Sequence, residues 1–263
     1  MNIAIIGFGK MGKTLEKFAL EKGHHIAAIV DPFIGPDVSG AKASLSGAPL
    51  AQDIAGAAAL DKADVALEFT RPDTALANIK ALAKRKIPVV TGTTGWLDKL
   101  DEAQAAVHQA GSSLVWASNY SLGVKLLSLI ASYAAELFNK FPEYDLGGYE
   151  IHHNQKADSP SGTAKTLAAL LLEKFTRKKS VVWDTLNRKA LPTELHFPSL
   201  RIGSVPGTHG VIFDSEDDSV EILHKARNRD SLARGALRAA EWLTEKKRKG
   251  VFTIEDILSD IIQ

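Results

Sequence analysis

The sequence predicts an α/β fold in two parts. The first is an amino-terminal parallel sheet covered by helices, and the second is an α+β part on a mainly antiparallel or mixed open sheet. Three observations predict it. From Asn2 to Ala117, short apolar runs of strand length alternate with longer runs of helical period, the pattern of a parallel sheet. The first strand runs straight into Gly7-Phe8-Gly9-Lys10-Met11-Gly12, a glycine turn of G-x-G-x-x-G form. Beyond Pro142 the alternation stops, and strand-like segments follow one another with few helices.

In chain order, Asn2 to Ile6 is a short apolar strand. A helix follows the glycine turn, with Met11, Leu15, Phe18 and Ala19 on one face and Gly23 as its stop. His25 to Val30 is the next strand and ends in Asp31. Strand, glycine turn, helix, strand and acid together form the unit that binds a dinucleotide in Rossmann-type sheets. Gly7 permits the tight turn, Gly9 lets backbone approach a pyrophosphate, and Gly12 lets helix and strand pack closely. Asp31 is placed to accept hydrogen bonds from a ribose and to repel a 2′-phosphate, so NADH is favoured over NADPH. Lys10 offsets that charge in part.

Asp64 to Phe69 reads as a strand, Thr70-Arg71-Pro72 as the loop at its end, and Asp73 to Arg85 as a helix. Pro88 to Thr91 is a strand, followed by Gly92-Thr93-Thr94-Gly95. Leu97 to Ala110 is a helix and Ser113 to Ala117 a strand. Ligands gather at the carboxyl ends of parallel strands. That places Thr70, Gly92, Thr93, Thr94 and the run Ala117, Ser118, Asn119, Tyr120 beside a bound nucleotide, together with Gly7, Phe8, Gly9, Lys10, Met11, Gly12 and Asp31. Gly123 to Phe138 is a long helix. The later strands are expected at Tyr144 to Ile151, Ser180 to Trp183, Leu200 to Val205, Gly210 to Asp214 and Val220 to His224. Arg201 to His209, with Gly203 and Gly207, reads as a hairpin or crossover in preference to a ligand contact. Arg227 and Arg229 are either surface charges or part of a carboxylate site. Asp230 to Lys246 and Phe252 to Ile262 read as helices, and Lys246 to Lys249 as a solvated basic helix end.

The run from Glu150 to Ala164 carries the chemistry. It joins a strand to a helix with Ala164, Leu167, Ala168, Leu171, Leu172 and Phe175 at helical spacing. Pro160 stops that helix from reaching further back, and Ser161 is a natural N-cap. The amides of Gly162 and Thr163 then lie in a first turn that attracts anions. Lys156 adds a positive charge, and His152 and His153 are groups able to give a proton near neutral pH. The stretch reads as a cradle for a small carboxylate with a proton donor beside it.

Composition narrows the alternatives. At 263 residues the chain has room for one large or two modest domains. A net charge of +1 implies no general attraction to nucleic acid or membrane. The absence of cysteine excludes disulfides, thiolate metal sites and a thiol nucleophile, and no metal is expected. No apolar run is long enough to span a bilayer, and Met1 leads directly into a strand without a signal peptide, so a cytoplasmic location is the expectation.

The glycine turn, Phe69-Thr70-Arg71-Pro72, Gly92 to Gly95, Asn119-Tyr120-Ser121, Glu150 to Ala164 and Glu221 to Lys225 together resemble the dihydrodipicolinate reductase family, the 4-hydroxy-tetrahydrodipicolinate reductases of the diaminopimelate route to lysine. The resemblance covers nearly the whole chain. It implies a homotetramer with a dinucleotide-binding domain at 1–118 plus 229–263 and a substrate-binding and oligomerisation domain at 119–228. It implies NAD(P)H-dependent reduction of a cyclic dicarboxylate bearing a conjugated imine. His152 corresponds to the proton donor, Lys156 to the catalytic lysine, and His153, Gly162 and Thr163 to substrate-binding positions, with Ser161 beside them. The chain departs from the family pattern at Asn154 and Gln155, where some members carry Arg and His. It departs again at Asp31-Pro32, where Glu-Arg is common, which weighs against strong NADPH use. Two other classes fit parts of the pattern. One is another two-domain NAD(P)-dependent dehydrogenase, acting on an aldehyde or a polyol. The other is a non-catalytic NADH sensor, which would have no need of His152 beside Lys156.

Overall fold

A strand buried on both faces reads as an unbroken apolar run rather than an alternation, and this describes β1 (Asn2–Ile6), whose Ile3, Ala4 and Ile5 are fully buried. In the computed structural model, which describes residues 1–34 and 44–262, β1 lies inside a seven-stranded sheet. After α1 (Lys10–Glu21) come β2 (His25–Val30), β3 (Leu50–Ala51) and β4 (Val65–Glu68). Then α2 (Pro72–Lys84), β5 (Val89–Thr91), α3 (Leu100–Ala110) and β6 (Ser113–Trp116) follow. The sheet is completed from the far end of the chain, where α6 (Asp230–Glu245), β13 (Gly250–Thr253) and α7 (Ile254–Ile262) return to it. The strand order is β13-β6-β5-β4-β1-β2-β3, with every pairing parallel. Order runs outward in opposite directions from β1 and β4, so their carboxyl ends form the topological switch point where such sheets bind ligands. One apolar layer, centred on Ile5, Leu15 and Ala236, covers one face, and another, centred on Ile79, Leu82 and Val107, covers the other.

The second sheet is mixed and has four strands. Helix α4 (Leu122–Phe138) leads to β7 (Asp145–His152), α5 (Gly162–Lys174), β8 (Ser180–Val182), β9 (Glu194–His196), β10 (Ser199–Arg201), β11 (Thr208–Asp214) and β12 (Ser219–Lys225). The order is β10-β7-β11-β12, with β10 parallel to β7 and the other pairs antiparallel; β8 and β9 pair separately. The burial of β7 alternates residue by residue, as a strand with one packed face requires. Leu146 from that face packs with Leu167, Leu171, Val211 and Phe213. The chain therefore forms two units, Met1–Ser121 with Leu232–Gln263, and Leu122–Ser231.

Several local expectations are corrected. Phe252 is not helical: Gly250–Thr253 is an edge strand, and the helix starts at Ile254. The stop is chemical, because Asp256 accepts from both the Thr253 amide, at 2.7 Å, and the Thr253 hydroxyl, at 3.0 Å, which caps α7 there. The basic run after α6 is not simply solvated. Arg248 stacks 3.9 Å from the Trp242 ring centroid, pairs with Asp260 and donates to the Trp242 carbonyl. The stretch Leu200 to Val205 is strand only at its start, since β10 ends at Arg201, and the short strands β3 and β9 have no clear periodic signal. Leu97–Lys99 is a separate 3₁₀ turn ahead of α3.

Candidate active site

In the first unit, the glycine turn sits at the carboxyl end of β1. Gly7 has φ +90°, and a Cβ there would lie 2.3 Å from the Phe69 carbonyl oxygen. A Cβ on Gly12 would lie 2.2 Å from the Gly7 carbonyl oxygen. Gly9, by contrast, has nothing within 4 Å of its Cβ position. Two glycines are therefore demanded by the chain itself, and the third leaves open space at the amino end of α1, where an anionic group would meet the helix dipole. Asp31 accepts from the Phe8 amide at 2.6 Å and from the Phe33 amide at 2.9 Å. It thus ties the second strand to the glycine turn and keeps lone pairs for a further donor. The Phe8 side chain is buried in the core and its amide is spent on Asp31, so Phe8 shapes the turn without offering a group to a ligand. Lys10 is exposed.

A cleft of about 280 Å³ lies over the switch point and is lined by Met11, Thr70, Gly92 to Thr94 and Ala117 to Tyr120, with Phe69, Pro72 and Leu232 completing it. Its floor is organised by Glu68, a fully buried carboxylate at the end of β4. Glu68 accepts from the Thr91 hydroxyl at 2.6 Å, from the Asn78 amide at 3.2 Å and from the Thr70 hydroxyl. The Thr70 amide donates to the Thr93 hydroxyl at 2.8 Å. The Tyr120 hydroxyl donates to the Thr91 carbonyl at 2.8 Å. Burial, and then the charge of Glu68, push the Tyr120 phenol well above its ordinary pKa, so it remains a donor. The residues of this cleft and the turn suit a nicotinamide dinucleotide: an open helix end, a carboxylate with spare lone pairs, and a cleft at the switch point.

In the second unit, β7 delivers Glu150 and His152 to one face because side chains alternate along a strand. Apolar at its Leu146 end, this face carries a polar row at Glu150 that crosses all four strands. Ser199 of β10 stands opposite Glu150, Glu150 opposite His209 of β11, and His209 opposite His224 of β12. Glu150 is fully buried. One of its oxygens, Oε1, accepts from the Ser199 hydroxyl at 2.7 Å, from Arg201 at 2.9 Å and from the Ser161 amide at 3.0 Å. The other, Oε2, has no well-aligned hydrogen bond; it faces His152 Nδ1 at 3.4 Å and His209 Nε2 at 3.5 Å. Burial opposes the charge of Glu150, but donation from His209, Ser161, Ser199 and Arg201 outweighs it and holds the carboxyl well below the usual range.

His152 is a buried imidazole. Burial lowers its pKa to about 4; the Glu150 charge works against this, and His209, Lys156 and Arg201 add to it. The imidazole is thus neutral at neutral pH, whereas the sequence alone pointed to a proton donor ready in that range. A dianionic ligand would reverse the balance by adding negative charge beside the ring. His152 Nε2 stands 3.1 Å from where Gly207 would carry a Cβ, so the glycine leaves the nitrogen its room.

The loop after β7 is tied down by backbone bonds from the Asn154 amide to the Gly203 carbonyl and from the Ile202 amide to the His152 carbonyl. Lys156 pairs with Asp158 at 2.6 Å, and Arg201 also donates to the Asp158 carbonyl at 2.7 Å. His153 lies 3.4 Å from Arg229, so of the two ambiguous arginines this one joins the cradle. Ser161 caps α5, accepting from the Ala164 amide at 3.1 Å, and the Gly162 and Thr163 amides belong to the first turn, which an α-helix leaves without intrahelical acceptors. Glu150, His152 and His209 place donor atoms within 4.8 Å of one another, a set able to hold a divalent ion. Arg201 on the same carboxylate and Lys156 nearby already supply positive charge, so a proton suits that space better than a metal.

Comparison with known proteins decides the family. Residues 1–120 match the model for the dihydrodipicolinate reductase N-terminus, and residues 123–258 that for the dihydrodipicolinate reductase C-terminus. The chain belongs to the dihydrodipicolinate reductase family. It is 37% identical over 264 residues to the 4-hydroxy-tetrahydrodipicolinate reductase of Christiangramia forsetii, covering all of both chains. It is 36% identical to that of Chromobacterium violaceum, covering 98% of each. In structure it resembles a dipicolinate-bound dihydrodipicolinate reductase from Paenisporosarcina sp. TG-14, with a TM-score of 0.77 and 23% identity over 96% of this chain and 97% of that one; this likeness is one of fold. A Rossmann-type oxidoreductase using NAD(P)H follows from the family.

Four residues carry no site role in the sequence reading: Glu68 in the first unit, and Glu150, Arg201 and His209 in the second, where the run Arg201 to His209 reads as a hairpin or crossover in preference to a ligand contact. Glu150 had a readable signal, because it lies two residues before His152 on the same strand face. Glu68 mirrors Asp31 as an acid closing an apolar strand. Arg201 and His209 reach the cradle through pairing of distant strands, which no local pattern reveals.

Proposed function

We propose that this chain is a 4-hydroxy-tetrahydrodipicolinate reductase, converting that cyclic dicarboxylate to tetrahydrodipicolinate with release of water, in the diaminopimelate route of lysine biosynthesis. The observation that carries the reading is a buried imidazole, His152, flanked by Lys156 and a capped helix start, in a chain whose two halves match the two halves of the family. When bound, NAD(P)H supplies the hydride. The chain's own residues then do the rest. Lys156, the Gly162 and Thr163 amides and His153 hold the carboxylates, with Ser161 fixing the turn. The ring hydroxyl leaves as water together with a proton of the adjacent ring carbon, which forms the conjugated imine; hydride uptake at the far end of that conjugation then moves charge towards nitrogen and leaves an enamine anion. His152 protonates carbon, with its Nε2–H bond breaking as the C–H bond forms and the electron pair remaining on nitrogen.

For the cofactor, the reading assigns Gly7, Gly9 and Gly12 to the pyrophosphate turn. Asp31 takes the adenosine ribose, and Thr70, Gly92 to Thr94 and Ala117 to Tyr120 take the nicotinamide end. NADH is favoured, since the Asp31 carboxylate repels a 2′-phosphate and Pro32 offers no cation to pair with one. A homotetramer belongs to the same reading. The outer face of the four-stranded sheet carries Leu200 and Leu223, and α4 carries Leu129, Ile130 and Tyr133, all substantially exposed in the single chain and suited to cover by further copies. The assay that tests the function is NADH oxidation with and without freshly generated 4-hydroxy-tetrahydrodipicolinate. Oxidation only in its presence is expected; oxidation driven instead by an aldehyde or polyol, or by no substrate, rejects the reading.

A further inference from the structure

The carboxylate of Glu150 is half committed. Three donors saturate Oε1, while Oε2 is buried, lacks a well-aligned hydrogen bond and stands between two imidazoles, 3.4 Å from His152 Nδ1 and 3.5 Å from His209 Nε2. We propose that Glu150 is the positioning residue of proton transfer: it holds His152 in the tautomer with the proton on Nδ1, frees Nε2 for the reacting carbon, and stabilises the imidazolium formed when a dicarboxylate binds. This rests on the proposed function.

A neutral imidazole carries one proton, and its position is set by what the other nitrogen meets. An ionised carboxylate only accepts, so Oε2 selects an N–H at Nδ1. Nε2 lies on the opposite side of the ring, in the space that Gly207 leaves by having no side chain. To act as an acid, Nε2 must gain a proton, and the ring becomes a cation in a site already holding Arg201 from β10 and Lys156 from the following loop, with His209 from β11 beside it. These groups oppose the charge, and His224 of β12 backs His209 in the same row. The only acid aimed at His152 among the described groups that shift it is Glu150. The edge-on His209 ring, 5.2 Å from His152 between centroids, closes the other side of the carboxylate. Through the cycle Glu150 remains ionised; the proton leaves Nε2 for carbon and is replaced from solvent before the next turnover.

Glu150→Gln is the informative variant. Because three donors converge on Oε1, the glutamine carbonyl must take that place, and its NH₂ group then lies where Oε2 was. It donates to His152 Nδ1 and forces the proton to Nε2, the wrong tautomer in the resting enzyme and without a counter-charge in the working one. A variant that fixes the wrong tautomer loses about 10²- to 10⁴-fold in kcat. The expected result is that loss in kcat with NADH affinity unchanged, and a kcat limb that fails at lower pH than in the wild type, with partial recovery in Glu150→Asp. Nitrogen-15 NMR of the histidine side chains should show Nδ1–H at His152 in the wild type and Nε2–H in Glu150→Gln.

An unchanged tautomer in Glu150→Gln would overturn the proposal. So would wild-type kcat in that variant, or a loss that tracks melting temperature and is not restored by aspartate. Stoichiometric zinc uptake by the wild type, lost in Glu150→Gln and required for turnover, would overturn it too. The two readings fail separately. If the wild type binds NADH but never reduces the dicarboxylate, the functional reading falls while the tautomer measurement still stands or falls alone. If the wild type is active, His152→Gln is inactive and Glu150→Gln is active, only this inference is lost.

Discussion

His152 shows how one residue's surroundings set its task. Burial makes it a poor base, so protonation is coupled to arrival of negative charge, and an imidazolium does not stand ready to bind stray anions. His152→Gln should lower kcat by about 10²- to 10⁴-fold while NADH affinity, measured by quenching of protein fluorescence, stays at its wild-type value. Equal losses in both would mean that the imidazole holds the fold rather than the proton. In the proposed function Lys156 grips a carboxylate and steadies the developing charge. Its ammonium is shared with Asp158 at 2.6 Å, so it can turn to a ligand carboxylate by exchanging one carboxylate for another. Lys156→Met should raise KM for the dicarboxylate about 10- to 100-fold, the scale of one charge-assisted hydrogen bond, again without change in NADH affinity. A variant whose KM is unmoved would assign the grip to Arg229 and the helix amides instead.

At the scale of elements, the glycine turn separates what the fold needs from what the ligand needs. Gly12→Ala would drive a Cβ to 2.2 Å from the Gly7 carbonyl oxygen, so β1 and α1 must part and the protein should lose several kcal/mol, on the scale of a severe overpacking. Gly9→Ala meets nothing within 4 Å, and Gly9 has φ −76° at the helix N-cap, where alanine has room and, as a poorer cap than glycine, costs no more than about 1 kcal/mol. Denaturant melts should therefore find Gly9→Ala near wild type and Gly12→Ala clearly destabilised, while dinucleotide titration finds both weakened. If Gly9→Ala binds NADH normally, the pyrophosphate does not use this turn. The same comparison explains what was legible from residues alone. The β1–α1–β2 unit and the Ser161 cap are written in local periodicity and in glycine spacing, and both stand where expected. The edge strand Gly250–Thr253 was hidden because four residues before a helix carry no period of their own; it exists because β6 presents an open parallel edge. The Ser199–Glu150–His209–His224 row was hidden for a related reason: it is a product of strand order in the mixed sheet, and register between distant segments is not a local property.

For the molecule as a whole, near-neutral net charge means that overall repulsion contributes little at pH 7, so acid stability falls to the buried groups. His152 has a folded pKa of about 4 against an ordinary 6.5. Above 6.5 neither folded nor unfolded chains bind a proton there, and stability is complete. Between 6.5 and 4 the unfolded chain takes up the proton and the native one does not, so stability falls with pH, by an amount on the order of 3 kcal/mol for this group. His224, lowered by burial and by His209, acts in the same direction. Below about 4.5 the depressed carboxyls follow. Glu150 is held ionised by His209, Ser161, Ser199 and Arg201 against its burial. Glu16 is held by the Ser44 and Ser46 hydroxyls and nearby amides, again against burial. Each favours the native state above its unfolded pKa and ceases to do so as acid protonates it. Melting temperature should therefore be flat above about pH 7, decline gently between 6.5 and 4.5, and decline more steeply below. In His152→Gln the gentle segment should flatten, because the group that generates most of it is gone, while the steep one remains. Adding dipicolinate, a dicarboxylate of the ligand class proposed for the cradle, should also reduce the gentle slope, since a bound dianion raises the folded-state pKa of His152 towards its ordinary value. A pH dependence that neither the substitution nor the ligand alters would show that the neutral imidazole is not what couples this protein's stability to acid.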